Sequence, residues 1–212
     1  MRIVLAGASG LIGPALHERL RGQGHHVKTL VRHATNDDDQ DSWDPAQGLI
    51  DPGFLADADA VVCLSGFGVG ERRWNERVRN RIVQSRVDSV GTIARSLAEY
   101  GGPRVLVAAS AVGYYGDGGE AELDESAPSG STFLAGVCRG WEAAADPARD
   151  TGVRVAHLRS GLALSPSGGM LGRLRPIVRA GIAGRLGSGR QFMPWISLAD
   201  EVAAIGFVLE HD

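Results

Sequence analysis

The first thirteen residues, Met1-Arg-Ile-Val-Leu-Ala-Gly-Ala-Ser-Gly-Leu-Ile-Gly13, restrict the fold more than any other stretch of the chain. The apolar run Ile3 to Ala6 reads as a buried parallel strand, and an amphipathic segment from Leu11 to Gln23 reads as a helix, so the glycines between them form a strand-to-helix turn. Each glycine answers its own steric demand. Gly7 permits the tight turn, Gly10 lets backbone approach a pyrophosphate, and Gly13 lets helix and strand pack closely. Gly7, Ser9, Gly10, Leu11, Ile12 and Gly13 then cradle a dinucleotide's diphosphate at the helix N-terminus, where unpaired N–H groups and the helix dipole favour an anion.

The rest of the chain repeats this alternation. Apolar runs at His26 to Val31, Asp59 to Leu64, Arg104 to Ala109 and Arg154 to Leu158 predict further strands. Helical periodicity covers Asn75 to Tyr100, stopped by Gly101-Gly-Pro103, and Phe133 to Arg149, where Phe133, Val137 and Trp141 share a face. A last helix is predicted from Trp195-Ile-Ser-Leu-Ala-Asp-Glu-Val202 onward. Strand, helix, strand with glycines at successive strand ends means an α/β, doubly wound, mostly parallel Rossmann-type sheet with helices on both faces and ligand along its carboxyl edge. The polar stretch Ala34 to Asp41 is expected to be a surface loop without chemistry.

Composition narrows the partners. With 22 basic against 25 acidic residues the net charge is −3, which argues against a general nucleic-acid or membrane-surface binder. No apolar run reaches the ~18 residues of a membrane span, and the N-terminus enters a strand without a signal-peptide pattern, so a cytoplasmic protein of one domain, residues 1–212, is expected. Cys63 and Cys138 fall in an apolar strand and a helix, which fits free buried thiols better than a disulfide or a metal site. At the end of the second strand an acidic residue would bind the ribose of NAD, whereas an arginine suits the extra phosphate of NADP. That residue is Arg32, and the expected cofactor is NADP(H).

The spacing G-x-x-G-x-x-G resembles the short-chain dehydrogenase/reductase superfamily, and Leu11-Ile12-Gly13 resembles its extended, epimerase-like branch. With Arg72-Arg-Trp74, Ser85-Arg86, Ser110-Ala-Val-Gly-Tyr-Tyr-Gly116, Trp141-Glu142, Leu158-Arg-Ser-Gly161 and Gly187-Ser-Gly-Arg190 through Pro194-Trp-Ile196, the chain resembles the atypical epimerase-family proteins called nucleoside-diphosphate-sugar epimerases. The resemblance implies that Leu64, Ser65 and Gly66 line the adenosine ribose and pyrophosphate, and that Arg86 stands beside the cofactor; most of the helix's arginines, Arg77, Arg79, Arg81, Arg86 and Arg95, otherwise read as a solvated face. It implies that Ser110 hydrogen-bonds the reacting oxygen. An ungapped alignment on Tyr115-Gly116 would put Ala111 in the serine's place; Ser110 is preferred because Gly113 can accommodate the extra residue as a bulge. The Ser160 to Ala163 backbone, Ala163 included, is the implied nicotinamide contact, Arg159 a partner for a nearby carboxylate, and Arg190 the guanidinium fork for a nucleotide-sugar diphosphate. It also implies a further stretch covering the substrate pocket. The chain stops at Asp212, so either it is a fragment or that cover is absent or reduced to residues 160–197.

One departure concerns the chemistry itself. The superfamily uses a tyrosine and, four residues on, a lysine whose ammonium lowers the phenol's pKa. Here the matching residues are Phe133 and Val137, neither of which can move a proton, and their role reads as core packing. Ser110 and Tyr114 remain as catalytic candidates, with Tyr115 at a structural position. Two accounts stay open: an NADP(H)-dependent oxidoreductase or epimerase acting on a small-molecule substrate, a nucleotide sugar or another carbonyl, and a non-catalytic NADP(H) sensor that signals to a partner. A third is a vestigial domain that binds no nucleotide. No metal site is expected, and no oligomeric state follows from the residues.

Overall fold

The computed structural model describes residues 1–166, 168–185 and 187–211; Ser167, Leu186 and Asp212, which fall in stretches read above, lie outside the described residues. Strand β1 (Arg2–Ala6) pairs in parallel with β2 (His26–Val31) on one side and β4 (Ala60–Cys63) on the other. β3 (Gln40–Ser42) extends the sheet beyond β2, while β5 (Val105–Ala109) and β6 (Arg154–Leu158) extend it beyond β4. The order β3-β2-β1-β4-β5-β6 places the switch in winding between β1 and β4, where a crevice opens at the carboxyl ends of the strands.

Alternation along β1 divides the core. Ile3 and Leu5 face a layer made by α1 (Gly13–Gly22) and α7 (Leu198–Glu210), through Leu16, Leu20, Val202, Ile205 and Leu209. Val4 and Ala6 face the opposite layer, formed by α2 (Pro52–Ala56), α3 (Glu76–Tyr100), α4 (Phe133–Ala143) and α5 (Asp146–Arg149). Burial on both faces explains why these strands read as continuous apolar runs. The three longest helices of the sheet layers start where side chains satisfy their first N–H groups: Asn75, Thr132 and Ser197 accept from Val78, Ala135 and Asp200. α1, like α5 and the later helix Gly169–Arg179, has no side-chain cap, and its first turn holds no acidic residue.

Three sequence expectations change. Gln40–Ser42 is an edge strand rather than part of a loop: Thr29 N–H donates to the Asp39 carbonyl, and Trp43, buried just beyond, anchors the segment. A polar edge strand carries no apolar alternation for sequence reading to find. The helix expected over Phe133 to Arg149 is broken into α4 and α5, because Pro147 lacks the N–H that a continuous helix needs. Gly113 sits in a 3-10 turn, Val112–Tyr114, rather than in a β-bulge. A small second sheet pairs β7 (Leu162–Leu164) with β8 (Trp195–Ser197), and α6 (Gly169–Arg179) lies between them in sequence.

The turn after β1 is locked by contact. Gly7 has φ +92°, and a Cβ there would lie 2.7 Å from the Leu64 carbonyl carbon; a Cβ on Gly13 would lie 2.4 Å from the Gly7 oxygen. Neither neighbour is a side-chain tip that can swing aside. Gly13→Ala is therefore expected to destabilise the fold by about 2 kcal/mol or more, whereas Gly22→Ala, inside α1 with nothing within 4 Å, should gain about 0.5 kcal/mol; chemical denaturation of the two variants beside the parent checks both.

Candidate active site

The crevice begins at the β1 turn. Gly10 is exposed, its N–H donates to the Gly7 carbonyl at 3.2 Å, and a Cβ on it would meet only that same oxygen, at 3.6 Å. No side chain fills the bend. Across from it, Leu64 N–H donates to the Ala6 carbonyl at 2.8 Å, so the Leu64-Ser65-Gly66 backbone continues from β4 beside the turn. Leu11 reaches the other wall: Cβ atoms on Gly168 and Gly169 would stand 3.1 and 2.9 Å from its methyl groups, which brings the segment after β7 against the turn. Arg32 is exposed directly after β2, and its side chain has no hydrogen bond or ion pair among the described residues.

Arg86 supports this crevice from beneath. Its Nη1 donates to the Phe67 and Ile82 carbonyls at 2.8 and 3.0 Å, and its guanidinium lies 4.9 Å from the Trp141 ring centroid. A Cβ on Gly66 would come within 3.3 Å of the guanidinium carbon, so the small residue and the half-buried arginine require each other. Burial lowers the Arg86 pKa, but the guanidinium remains charged. Arg77, Arg79, Arg81 and Arg95 are exposed, as the sequence implied.

The chemistry-bearing residues converge farther along the same edge, at the ends of β5 and β6. Ser110 follows β5 and is 5% exposed; Arg159 follows β6; Glu142 comes from α4; Tyr114 and Tyr115 come from the 3-10 turn and its end. The Glu142 carboxylate accepts from Arg159 twice, Nε to Oε1 and Nη2 to Oε2, each at 2.9 Å. Its Oε1 also accepts from Ser110 Oγ at 2.6 Å. Arg159 Nη1 donates to Tyr115 Oη at 3.0 Å, and the guanidinium carbon lies 3.5 Å from the Tyr114 ring centroid. The expected carboxylate partner of Arg159 is thus Glu142, a residue that sequence reading quoted in Trp141-Glu142 without giving it a role. An acidic residue next to a buried tryptophan on a helix's core face was the available signal.

Burial alone would push the Glu142 carboxyl up, but hydrogen bonds from Arg159 and Ser110 hold it below its ordinary value. The same fork raises Arg159. An ionised Glu142 cannot donate, so Ser110 donates its O–H to the carboxylate. This departs from the expectation of a serine that donates to a reacting oxygen.

Phe133 and Val137 pack with Phe67, Val78, Ile82 and Val83, as expected of core residues. Both cysteines are free and buried; burial raises Cys138 and pushes Cys63 up to about 12, so neither is a thiolate near neutral pH. Ala163 pairs with Ile196 in the small sheet, and Ser160 Oγ donates to the buried Glu201 at 2.5 Å. Arg190 is exposed between α6 and β8, and its side chain makes no bond among the described residues. Among those residues no cluster suits a metal ion and no helix is long and apolar enough to cross a membrane.

Comparison with known proteins bears on the family and the fold. The model of the NAD dependent epimerase/dehydratase family matches residues 3–212. The chain belongs to that family. An epimerase family protein of Mycobacterium bovis, Mb2239, is 44% identical over 207 residues, covering 98% of this chain and 68% of the relative. The structure of human epimerase family protein SDR39U1 with NADPH superposes with a TM-score of 0.85 at 32% identity, over 99% of this chain and 70% of that one. A nucleoside-diphosphate sugar epimerase from Corynebacterium glutamicum gives 0.84 at 36% identity, covering 98% and 43%. This epimerase-family chain therefore spans about two thirds of the mycobacterial and human relatives and less than half of the corynebacterial one.

Two depressed groups make the site acid-sensitive. His157, lowered chiefly by burial from 6.5, accepts from Arg149 at 3.0 Å, and Glu142 is lowered from 4.5. In both cases the unfolded chain binds its proton first as pH falls, so each contribution is complete above the unfolded value and is lost on acidification toward the folded one. Urea midpoints of the parent and of Glu142→Gln should differ at pH 7, where the variant leaves Arg159 without its counter-charge, and should converge as the pH falls below about 4.5.

Proposed function

We propose that the chain is an NADP(H)-binding, epimerase-like oxidoreductase that acts on a nucleotide sugar or another small carbonyl substrate without the usual tyrosine-lysine pair. The observation that carries this reading is the open, uncapped turn at Gly7 to Gly13 standing on the same sheet edge as the Ser110-Glu142-Arg159 cluster. In this reading Gly7, Ser9, Gly10, Leu11, Ile12 and Gly13 hold the diphosphate, with Leu64, Ser65 and Gly66 beside the ribose, supported by Arg86. The unpaired Arg32 suits a 2′-phosphate, and the NADPH named with the human relative supports the choice of cofactor. Ala163 and its neighbours face the nicotinamide, which when bound supplies or takes the hydride. Ser110 accepts from a substrate hydroxyl, and the tyrosines beside Arg159 supply the proton. Arg190, exposed and unpaired among the described residues, is available to a substrate diphosphate, and the described part of residues 160–197 forms the wall over the pocket. The name of the corynebacterial relative, a nucleoside-diphosphate sugar epimerase, supports the sugar substrate class.

The packing of Phe133 and Val137 into an apolar cluster favours a second reading, a sensor that binds NADP(H) without turning it over. Two measurements separate them. NADPH is expected to bind at least about tenfold more tightly than NADH, with Arg32→Ala erasing most of that difference; equal affinities would exclude the 2′-phosphate assignment. A panel of nucleotide sugars and small carbonyls should then give NADPH-dependent turnover that drops by about tenfold or more in Ser110→Ala. Tight NADPH binding with no turnover, from this chain or a longer version of it, selects the sensor.

A further inference from the structure

The geometry points to Tyr115 as the residue that exchanges a proton with the substrate oxygen, with Arg159 standing in for the missing lysine. This rests on the dinucleotide reading above and goes beyond it by choosing between the two tyrosines. Near the ends of β5 and β6 most other groups have no proton to give. Glu142 is ionised and accepts three hydrogen bonds, Ser110 has committed its proton to Glu142, and the Cys138 thiol donates to the Ala111 carbonyl at 3.7 Å. His157 Nε2 accepts from Arg149, so its proton sits on Nδ1, which is buried out of reach of a substrate. Phe133 and Val137 carry no titratable group.

Tyr114 and Tyr115 remain, and Arg159 treats them differently. It lies over the face of the Tyr114 ring, 3.5 Å from the centroid, where a cation meets the ring quadrupole, and it does not bond the phenol oxygen, which has no partner among the described residues. It meets Tyr115 at the oxygen itself: Nη1 donates to Oη at 3.0 Å. Because that oxygen accepts from the guanidinium, its own O–H is left to point elsewhere, and no acceptor within the described residues takes it. A phenolate formed there would keep the Arg159 bond and strengthen it into a charge-assisted one. The Glu142 fork fixes the guanidinium in place and cancels its net charge, so Tyr115 receives a directed N–H rather than a bare positive field.

The reaction balances as follows. The carbonyl carbon of the substrate receives a hydride from a bound reduced nicotinamide dinucleotide, and its π electron pair moves to the oxygen. The Tyr115 O–H bond breaks, its proton goes to that oxygen, and its electron pair stays on the phenolate, which regains a proton from water. Oxidation of an alcohol runs the same transfers in reverse.

The test has one readout that needs no substrate. Treated with 4-(2-aminoethyl)benzenesulfonyl fluoride and analysed by peptide mass spectrometry, the chain should be modified at Tyr115 at least about tenfold faster than at Tyr114 or Tyr100, as an activated oxygen nucleophile is. Saturating NADPH should slow that modification, Arg159→Lys should retain most of it, and Arg159→Gln should lose it. Tyr115→Phe and Tyr114→Phe keep both rings and guard against an Arg159 variant that does not fold. NADPH affinity should stay within about twofold in Tyr115→Phe, while reduction of 9,10-phenanthrenequinone followed by NADPH absorbance should fall by about a hundredfold, at least tenfold more than in Tyr114→Phe. A parent chain that does not bind NADPH overturns the dinucleotide reading and the assignment with it. Intact NADPH binding overturns the assignment alone if Tyr114 is the residue modified, if Tyr115→Phe turns over as fast as the parent, or if the parent reduces nothing.

Discussion

Backbone against backbone, without a side chain between, is the contact on which the rest of this molecule depends. Gly13 at the start of α1 meets the Gly7 carbonyl, and Gly7 meets the end of β4, so one turn is clamped between a helix and the neighbouring strand. That clamp brings the first helix over the carboxyl edge at the place where the sheet changes its direction of winding. It also keeps the helix terminus free of any capping side chain. The polar end of α1 is thus left facing the crevice, with N–H groups that would otherwise be satisfied from within the protein.

Much of the sheet was readable because its strands are buried on both faces and carry continuous apolar residues, as Ala60–Cys63 and Val105–Ala109 do. β2 and β6 have the bounds that the sequence suggested, and Asn75 and Gly101 frame the long helix where cap chemistry would put them. The edge strand Gln40–Ser42 was hidden for the opposite reason: its pairing is made by backbone, and its anchor, Trp43, lies one residue beyond it. At the site, Ser110 and the tyrosines were visible as types but their connections were not. Glu142 and Arg159 lie seventeen positions apart on a helix and a strand end, and only the packing of α4 against the sheet makes them a pair. That pairing also reverses the hydrogen-bond sense of Ser110, which no spacing rule could express.

The absence of a tyrosine-lysine pair has a structural counterpart. Phe133 turns the start of α4 into an apolar contact with Trp74, ring centroids 5.4 Å apart, and Val137 is fully engaged in the same cluster. The polar centre lies farther along the same helix, at Glu142, where a single guanidinium touches one carboxylate and two phenol rings. Such a centre is rigid in a way a lysine is not, because a planar fork held at two points cannot swing on its stem.

The fork between Glu142 and Arg159, joined by Ser110, ties one helix to the ends of two adjacent strands. A change at either charged position alone would leave its partner's charge largely enclosed and without a counterpart. The start of one loop is thereby coupled energetically to a helix position seventeen residues earlier, so that the effect of substituting one depends on what occupies the other.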